Sequence, residues 1–118
     1  MGSPVIHWQM LSNKPEELAA FYSRLFGWKV DANNPLGYRA IDTGSKSGIG
    51  GGIWPAPPQA PTFTQIFMQV TDLKATFQQA LSLGAKAIVA PQTLPQGDEM
   101  AILLDPQGMS FGLIKTHA

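Results

Sequence analysis

A strand followed by a capped helix occurs twice in this chain, and that repeat constrains its fold more than any other feature. His7 lies six residues before Asn13, a residue type that can cap the first helix. Ile66 lies six residues before Asp72, which can cap the second. The two positions are 59 residues apart, half of the 118-residue chain. Repetition at this interval predicts two modules of one topology.

Both helices carry further start and stop signals. Glu16 completes a capping box with Asn13, and Gly27 can take the left-handed conformation that ends the first helix. Gly84 can end the second helix, which Asp72 opens. Apolar residues at helical spacing predict one buried stripe on each helix, namely Leu18, Phe21, Tyr22 and Leu25 on the first and Leu73, Phe77, Ala80 and Leu81 on the second.

The remaining apolar segments are short and bounded by turn residues, which favours strands. The predicted strands are 5–11, 28–31, 38–43, 49–54, 63–70, 86–90, 100–104 and 109–115. The proline-rich segment 55–61 predicts a linker, because proline donates no ladder hydrogen bond. The fold class is therefore α+β, with paired βαβββ modules at about 4–54 and 62–116 in a single domain, 1–118.

Charge and composition exclude several function classes. Eight basic and eight acidic residues cancel, which argues against binding to nucleic acid or to an anionic membrane. The chain has no cysteine and therefore no disulfide or thiol nucleophile, as expected of a cytoplasmic protein. No apolar stretch approaches the roughly 20 residues of a membrane span, and the first residues do not form a secretory signal. We expect a soluble, cytoplasmic protein.

Three motifs carry a resemblance to a known superfamily. They are FYSRLFGW at 21–28, LGA at 83–85 and DPQG at 105–108 followed by FGL at 111–113. With the βαβββ repeat they make the chain similar to the vicinal oxygen chelate superfamily, which includes glyoxalase I, bleomycin-resistance proteins and extradiol dioxygenases. The resemblance implies a curved mixed sheet around a ligand-binding cup, the glyoxalase/bleomycin-resistance fold, and a homodimer.

The resemblance also implies where metal ligands would lie. Metal-dependent members carry a histidine 14 residues before the phenylalanine of the FY pair, and His7 matches with Phe21. The corresponding positions of the second module hold Ile66 and Gly112, neither of which can coordinate a metal. A protein-held divalent metal needs about three or four ligands. We therefore expect no metal and no other cofactor, with His7 the single ligand if a divalent metal site exists.

His7 keeps two other interpretations, a ligand contact or general acid–base inside the cup and a structural histidine satisfied by its neighbours. Alternation along the first strand directs Ile6, Trp8 and Met10 toward the helix and His7 and Gln9 toward the cup. The other candidate ligand-binding residues are Trp54, Met68 and Arg39, with Glu99 as a candidate catalytic carboxylate. Core packing or solvent exposure is the alternative for each. His117 is assigned no role.

Two functions from different classes remain, beside a third possibility, a purely structural or regulatory dimer whose cup is filled. The first is a glyoxalase-like, bleomycin-resistance-type protein that binds a small organic molecule without metal. The second is a lyase or isomerase of the glyoxalase type, with His7 as acid–base and either Glu99 or a metal completed across a dimer; a dioxygenase is a weaker variant. The glycines at 48–52 predict a strand with close backbone approach, where missing side chains leave room for a ligand or for the other module.

Overall fold

The computed structural model describes residues 2–34 and 37–116, so His117 lies outside the described residues. Eight strands and two helices occur in this described part, and they confirm the α+β class and the repeated βαβββ order. In chain order they are β1 (Val5–Ser12), α1 (Pro15–Phe26), β2 (Lys29–Asp31), β3 (Arg39–Asp42), β4 (Gly51–Pro55), β5 (Phe63–Gln69), α2 (Leu73–Ser82), β6 (Lys86–Thr93), β7 (Glu99–Leu104) and β8 (Ser110–Lys115).

The chain divides into two compact units. One comprises residues 7–64, here the N-terminal unit, and the other comprises 1–6 and 65–118, here the C-terminal unit. The strand order is β2-β3-β4-β1 in the first and β5-β8-β7-β6 in the second. In each unit the first and fourth strands of the module pair in parallel and the other neighbours are antiparallel. The internal repeat therefore extends to strand pairing.

The start of α1 differs from the sequence prediction. The N-cap is Lys14, without a side-chain cap hydrogen bond, and Pro15 occupies the first turn. Asn13 instead donates from Nδ2 to the carbonyl of Pro58 at 2.9 Å, so its side chain fastens the proline-rich segment. The prediction that Asn13 caps α1 is therefore wrong. The helix ends as predicted, with Gly27 at φ 72° and its N–H donating to the carbonyl of Ser23.

The buried face of α1 is also rotated from the predicted stripe. Leu18 packs against the cluster that includes buried Ala19, and Tyr22 is half-buried. Phe21 and Leu25 instead keep 57% and 59% of their surface exposed. The prediction is wrong for these two, since the buried residue of α1 is the small Ala19 rather than a large apolar residue.

The second helix and its neighbours follow the sequence closely. Asp72 is the N-cap of α2, and its Oδ1 accepts from the N–H of Ala75 at 3.0 Å. Leu73 and Phe77 are buried, and they pack with strand residues into the main core of the C-terminal unit. The predicted turn between β7 and β8 is confirmed, since the N–H of Gly108 donates to the carbonyl of Asp105 at 2.8 Å.

Each unit has its own apolar core on the helix side of its sheet. The core of the N-terminal unit is Ala19, Ile41 and Ile53, with Trp8, Met10, Leu18 and Trp28 packed around it. The C-terminal unit has a second cluster of Phe67, Met100 and Ile102 in addition to the one on α2. Neither helix of the described residues is long and apolar enough to cross a membrane.

Candidate ligand-binding site

The first strand separates the α1 side of the N-terminal unit from its opposite face. Trp8 and Met10 pack against the core beneath α1, as the alternation predicted. Successive side chains of a strand point to opposite faces, so His7 and Gln9 lie on the face away from α1. Gln9 is buried to 4% exposure although it is polar. At Gln9, therefore, the second face of the sheet holds a polar side chain that is shielded from water.

His7 is joined on this face by two aromatic residues, Tyr38 immediately before β3 and Trp54 in β4. Its Nε2 lies 2.9 Å from Oη of Tyr38, a hydrogen bond whose direction follows the imidazole tautomer. The ring of Tyr38 lies 4.8 Å from that of Trp54, tilted by 46°. The three residues form one group, here the His7 cluster. It joins an imidazole, a phenol and an indole on one sheet face.

Gly52 lies directly beneath the His7 cluster, where its backbone contacts Tyr38. Gly52 of β4 pairs with Gln9 of β1, so its missing side chain faces the same side as Gln9 and His7. A Cβ added at Gly52 would lie 1.9 Å from Oη and 2.0 Å from Cζ of Tyr38. The phenol therefore rests directly on the β4 backbone. This bears out the close backbone approach predicted for the glycine run, and the space is filled by Tyr38.

Burial sets the protonation of the cluster. Desolvation lowers the pKa of His7 from its ordinary 6.5, because charged imidazolium loses hydration in this environment. Desolvation also raises the pKa of Tyr38 to about 12, because the phenolate is disfavoured for the same reason. Both groups are neutral at pH 7. A neutral imidazole and a phenol can exchange hydrogen bonds with a ligand, and the imidazole can accept a proton.

Two other predicted site residues of the N-terminal unit divide between the faces. Trp54 belongs to the His7 cluster. Arg39 does not, because its guanidinium lies 3.3 Å from the carboxylate of Glu16 on α1 and also donates to the carbonyl of Gly37. Arg39 thus ties β3 to the helix and is occupied by protein partners.

Met68 and Glu99 belong to the C-terminal unit. Met68 pairs with Leu113, a member of the core cluster on α2, and paired residues of parallel strands point to the same face. Glu99 lies 3.8 Å from Nζ of Lys115, the residue opposite it on β8. The structure therefore places Met68 on the helix side of its sheet and pairs the Glu99 carboxylate with a lysine.

Tyr38 is the member of the cluster that was not predicted from the sequence as a site residue. Of the neighbours Tyr38 and Arg39, only Arg39 was predicted as a site residue, whereas the structure brings the phenol of Tyr38 to His7. A signal was present, because Ile41 is an apolar residue suited to the core. Alternation then puts Arg39 on the side of Ile41 and Tyr38 on the other.

The predicted alignment of the second module with the first is off by one residue. Since α1 is capped at Lys14 and α2 at Asp72, the modules are offset by 58 residues and the counterpart of His7 is Gln65. Gln65 is 2% exposed, and its Oε1 accepts a hydrogen bond from Ser110. Ile66 pairs with Phe111, which packs on the α2 cluster, and so faces the helix. The predicted equivalence of Ile66 with His7 is therefore wrong.

Gly112 also has a steric role in this module. A Cβ at Gly112 would lie 2.2 Å from the ring of Phe67, which is 2% exposed. The glutamate that metal-dependent relatives are expected to carry here would have no room without displacing that ring. Among residues 2–34 and 37–116, no three His, Cys, Asp or Glu side chains come together as a metal site. The described residues therefore do not fit a protein-held divalent ion.

Comparison with known proteins identifies the family of this chain. The family model described as a glyoxalase-like domain matches residues 9–114. The chain belongs to this family. This glyoxalase-like assignment confirms the resemblance that FYSRLFGW and DPQG carry in the sequence.

The curated relatives of this glyoxalase-like chain are longer than it is. It is 29% identical over 110 residues to the protein named "Putative glyoxylase CFP32" in Mycobacterium tuberculosis and in Mycobacterium bovis. The match covers 91% of this chain and 42% of the relative. The chain thus spans less than half the length of the curated relatives that it matches.

Solved structures agree on the fold. Hypothetical protein BH1468 from Bacillus halodurans has a TM-score of 0.73 at 12% identity, covering 100% of this chain and 97% of the other. A glyoxalase/bleomycin resistance protein/dioxygenase superfamily member from Vibrio splendidus has a TM-score of 0.64 at 12% identity, covering 98% and 100%. At these identities the likeness shows the glyoxalase/bleomycin-resistance fold alone.

Proposed function

We propose that this glyoxalase-like protein binds a small organic molecule at the His7 cluster, without a metal held by its own side chains. The observation that carries the proposal is the neutral imidazole–phenol pair of His7 and Tyr38, desolvated and placed beside the Trp54 indole. Ligand sites are commonly apolar surfaces with a few convergent polar groups. The cluster has that composition within one unit.

The chemistry of the cluster favours a planar, uncharged ligand. Trp54 and Tyr38 offer ring surfaces for stacking, and His7 and Tyr38 offer hydrogen-bonding atoms that do not carry charge at pH 7. A buried neutral pair does not repay the desolvation of an ionised ligand. Heteroaromatic amides, quinones and similar molecules meet these requirements.

A thermal-shift screen of planar heteroaromatic compounds tests this proposal. Ligand binding raises the melting temperature of the native protein. A compound that stabilises the wild type should lose most of its effect in His7→Ala and in Tyr38→Phe. Tyr22→Phe is the matched control, because Tyr22 stacks on Trp28 at the α1 side of the sheet, away from the cluster. Equal stabilisation of all four proteins would refute binding at the His7 cluster.

A second candidate is proton-transfer catalysis of the glyoxalase type. It is favoured by the lowered pKa of His7, which keeps the imidazole neutral and able to accept a proton at pH 7. A base of this kind would remove a carbon-bound proton from the adduct of methylglyoxal with a thiol and return it to the neighbouring carbon.

Turnover of that adduct, followed by its thioester product, tests the second candidate. Activity in the wild type that disappears in His7→Gln but remains in Glu99→Gln would support His7 as the base. Glu99→Gln is informative because the carboxylate is paired with Lys115 in the structure. Absence of turnover in the wild type, with or without added Ni²⁺ or Zn²⁺, would remove this candidate while leaving the binding proposal intact.

A further inference from the structure

The parallel strands β5 and β8 end beside a cavity in the C-terminal unit, here the β5–β8 cavity. Its volume is about 580 Å³, within the range of about 300–1,000 Å³ that small-molecule sites occupy. Ligands commonly bind just beyond the carboxyl ends of parallel strands. Six of the lining residues carry polar side chains, namely Ser3, Gln69, Thr71, Thr76, Lys115 and Thr116, and all six belong to this unit.

The equivalent place in the N-terminal unit is taken by the proline-rich segment. Just beyond β1 and β4, the N–H of Ala56 donates to the carbonyl of Ser12 at 2.8 Å, and Asn13 fastens Pro58. In the C-terminal unit, residues 2–4 instead form one wall of the β5–β8 cavity. The cavity is therefore a feature of one module and does not follow from the repeated topology alone.

The hydroxyl groups of the lining keep hydrogen-bonding capacity for a ligand. Oγ1 of Thr116 accepts from Nε2 of Gln69 at 3.1 Å, so the O–H of Thr116 remains able to donate. Oγ1 of Thr76 donates to a backbone carbonyl of the preceding turn at 2.8 Å, so its lone pairs remain able to accept. Ser3 and Thr71 add two hydroxyls on exposed residues. The lining is therefore suited to a molecule that itself carries several hydroxyl groups.

A single charge determines the electrostatic preference of the cavity. Lys115 is the one charged side chain among the described residues that line it. Its Nζ lies 3.8 Å from Oε2 of Glu99, which is longer than a hydrogen bond, and the side chain is 47% exposed. The carboxylate of nearby Asp72 is occupied with the N–H of Ala75 at the start of α2. Lys115 can therefore donate to an anionic group in the cavity, for which Glu99 is the competitor.

We propose that the β5–β8 cavity binds a small polyhydroxylated anion, such as a sugar phosphate or a sugar acid. Lys115 holds the phosphate or carboxylate, and Thr76 and Thr116 hold hydroxyl groups of the same molecule. A charge-assisted hydrogen bond is about twice as strong as a neutral one, so the anionic group supplies much of the affinity. This ligand class differs from the planar, uncharged one proposed for the His7 cluster, and the two proposals stand independently.

NMR titration of the whole chain with glucose 6-phosphate, gluconate, glucose and inorganic phosphate tests the proposal. We expect amide shifts in segments 2–4, 69–76 and 115–116 with glucose 6-phosphate or gluconate, and the tighter of the two identifies the anionic group. Its dissociation constant should be at least about tenfold below those of glucose and inorganic phosphate, because each of these lacks one half of the recognised chemistry. Equal affinity for glucose or for inorganic phosphate would overturn the inference, as would the absence of shifts in these segments.

Three variants test the assigned roles with the anion that binds the wild type more tightly. Lys115→Met should weaken binding about tenfold, whereas Glu99→Gln removes the competing carboxylate and should tighten binding about threefold. Lys86→Met is the matched control, because Lys86 is exposed on β6 of the same unit and lies outside the lining. Far-UV circular dichroism establishes that each variant is folded. Equal weakening in Lys86→Met and Lys115→Met, or weaker binding in Glu99→Gln, would also overturn the inference.

Discussion

Replacing Gly52 by alanine is the sharpest perturbation of the candidate site. The added Cβ would lie 1.9 Å from Oη, 2.0 Å from Cζ and 2.5 Å from Cε1 of Tyr38. These atoms are at the free end of a side chain, so Tyr38 can swing away while the strand stays in place. The movement separates the phenol from His7 and from Trp54. Gly52→Ala should therefore disrupt the whole cluster through one methyl group.

The expected loss of stability follows from the contacts that Tyr38 gives up. Its hydrogen bond to His7 contributes about 1 kcal/mol and its ring contact with Trp54 about 0.5–1.5 kcal/mol. Alanine returns about 0.4–1 kcal/mol by restricting the unfolded chain. The net decrease in the free energy of unfolding is therefore about 1 kcal/mol, within the range of about 1–3 kcal/mol for overpacking.

Urea unfolding and NMR of the His7 imidazole measure the two consequences. Gly50→Ala is the matched control, because a Cβ there meets only the carbonyl oxygen of Ile41 at an ordinary 3.5 Å. We expect Gly50→Ala to equal or exceed the wild type in stability, whereas Gly52→Ala is less stable and its His7 titrates closer to 6.5. Equal stability of the two variants with an unchanged His7 titration would refute the account of Gly52 as the floor of the cluster.

Three further predictions concern pH, steric fit and helix capping. The pKa of His7 in the folded state lies below its unfolded value of 6.5, so the unfolded chain takes up the proton first as the pH falls. The free energy of unfolding should therefore be full above pH 6.5 and decrease below it, with a smaller decrease in His7→Gln. If urea unfolding shows the same change between pH 7 and pH 5 in both proteins, the prediction is contradicted. Gly112→Ala presses on the buried ring of Phe67 and should cost about 1–3 kcal/mol in urea unfolding, so an unchanged midpoint would argue against that contact. Asp72→Ala removes the cap of α2 and should cost about 1 kcal/mol, whereas Asp72→Asn should retain most of the stability; equal losses would show that the side-chain oxygen does not cap the helix.

The order of elements was predictable because turn and cap residues mark it locally. Asp72, Gly27 and the DPQG turn each act on backbone within four residues, and each has its predicted role in the structure. Asn13 failed because its side chain makes a tertiary hydrogen bond to Pro58, 45 residues away. The two uses of an asparagine cannot be distinguished by local pattern. A one-residue error in the cap then shifted the module alignment from Gln65 to Ile66.

The buried face of α1 could not be read from apolar spacing alone. Leu18 and Tyr22 fit the helical spacing as well as Phe21 and Leu25 do, yet only Leu18 and Tyr22 are turned toward the sheet. The buried residue at the centre of that face is the small Ala19. Helical periodicity counts large apolar residues and therefore misses a face whose centre is an alanine.

The candidate site was half predictable for a related reason. His7 and Gln9 follow from alternation along β1, and Trp54 from the end of β4, all within single strands. The hydrogen bond of His7 to Tyr38 depends on strand order, since β3 and β1 both flank β4. That order is a tertiary property. The predictions of a homodimer and of a cytoplasmic location stay predictions.

The adjacent glycines Gly51 and Gly52 of β4 leave only backbone between the two faces of the sheet. Gly51 lies against the Trp8 ring, 2.2 Å from where its Cβ would stand, while Gly52 lies against Tyr38 on the reverse side. An indole and a phenol are thus separated by a single thickness of peptide. Optimising the hydrophobic interior and tuning ligand selectivity are usually separable tasks for evolution or for an engineer. In this protein, a change in the packing around Trp8 would be transmitted through the β4 backbone to Tyr38, a member of the proposed ligand-binding cluster.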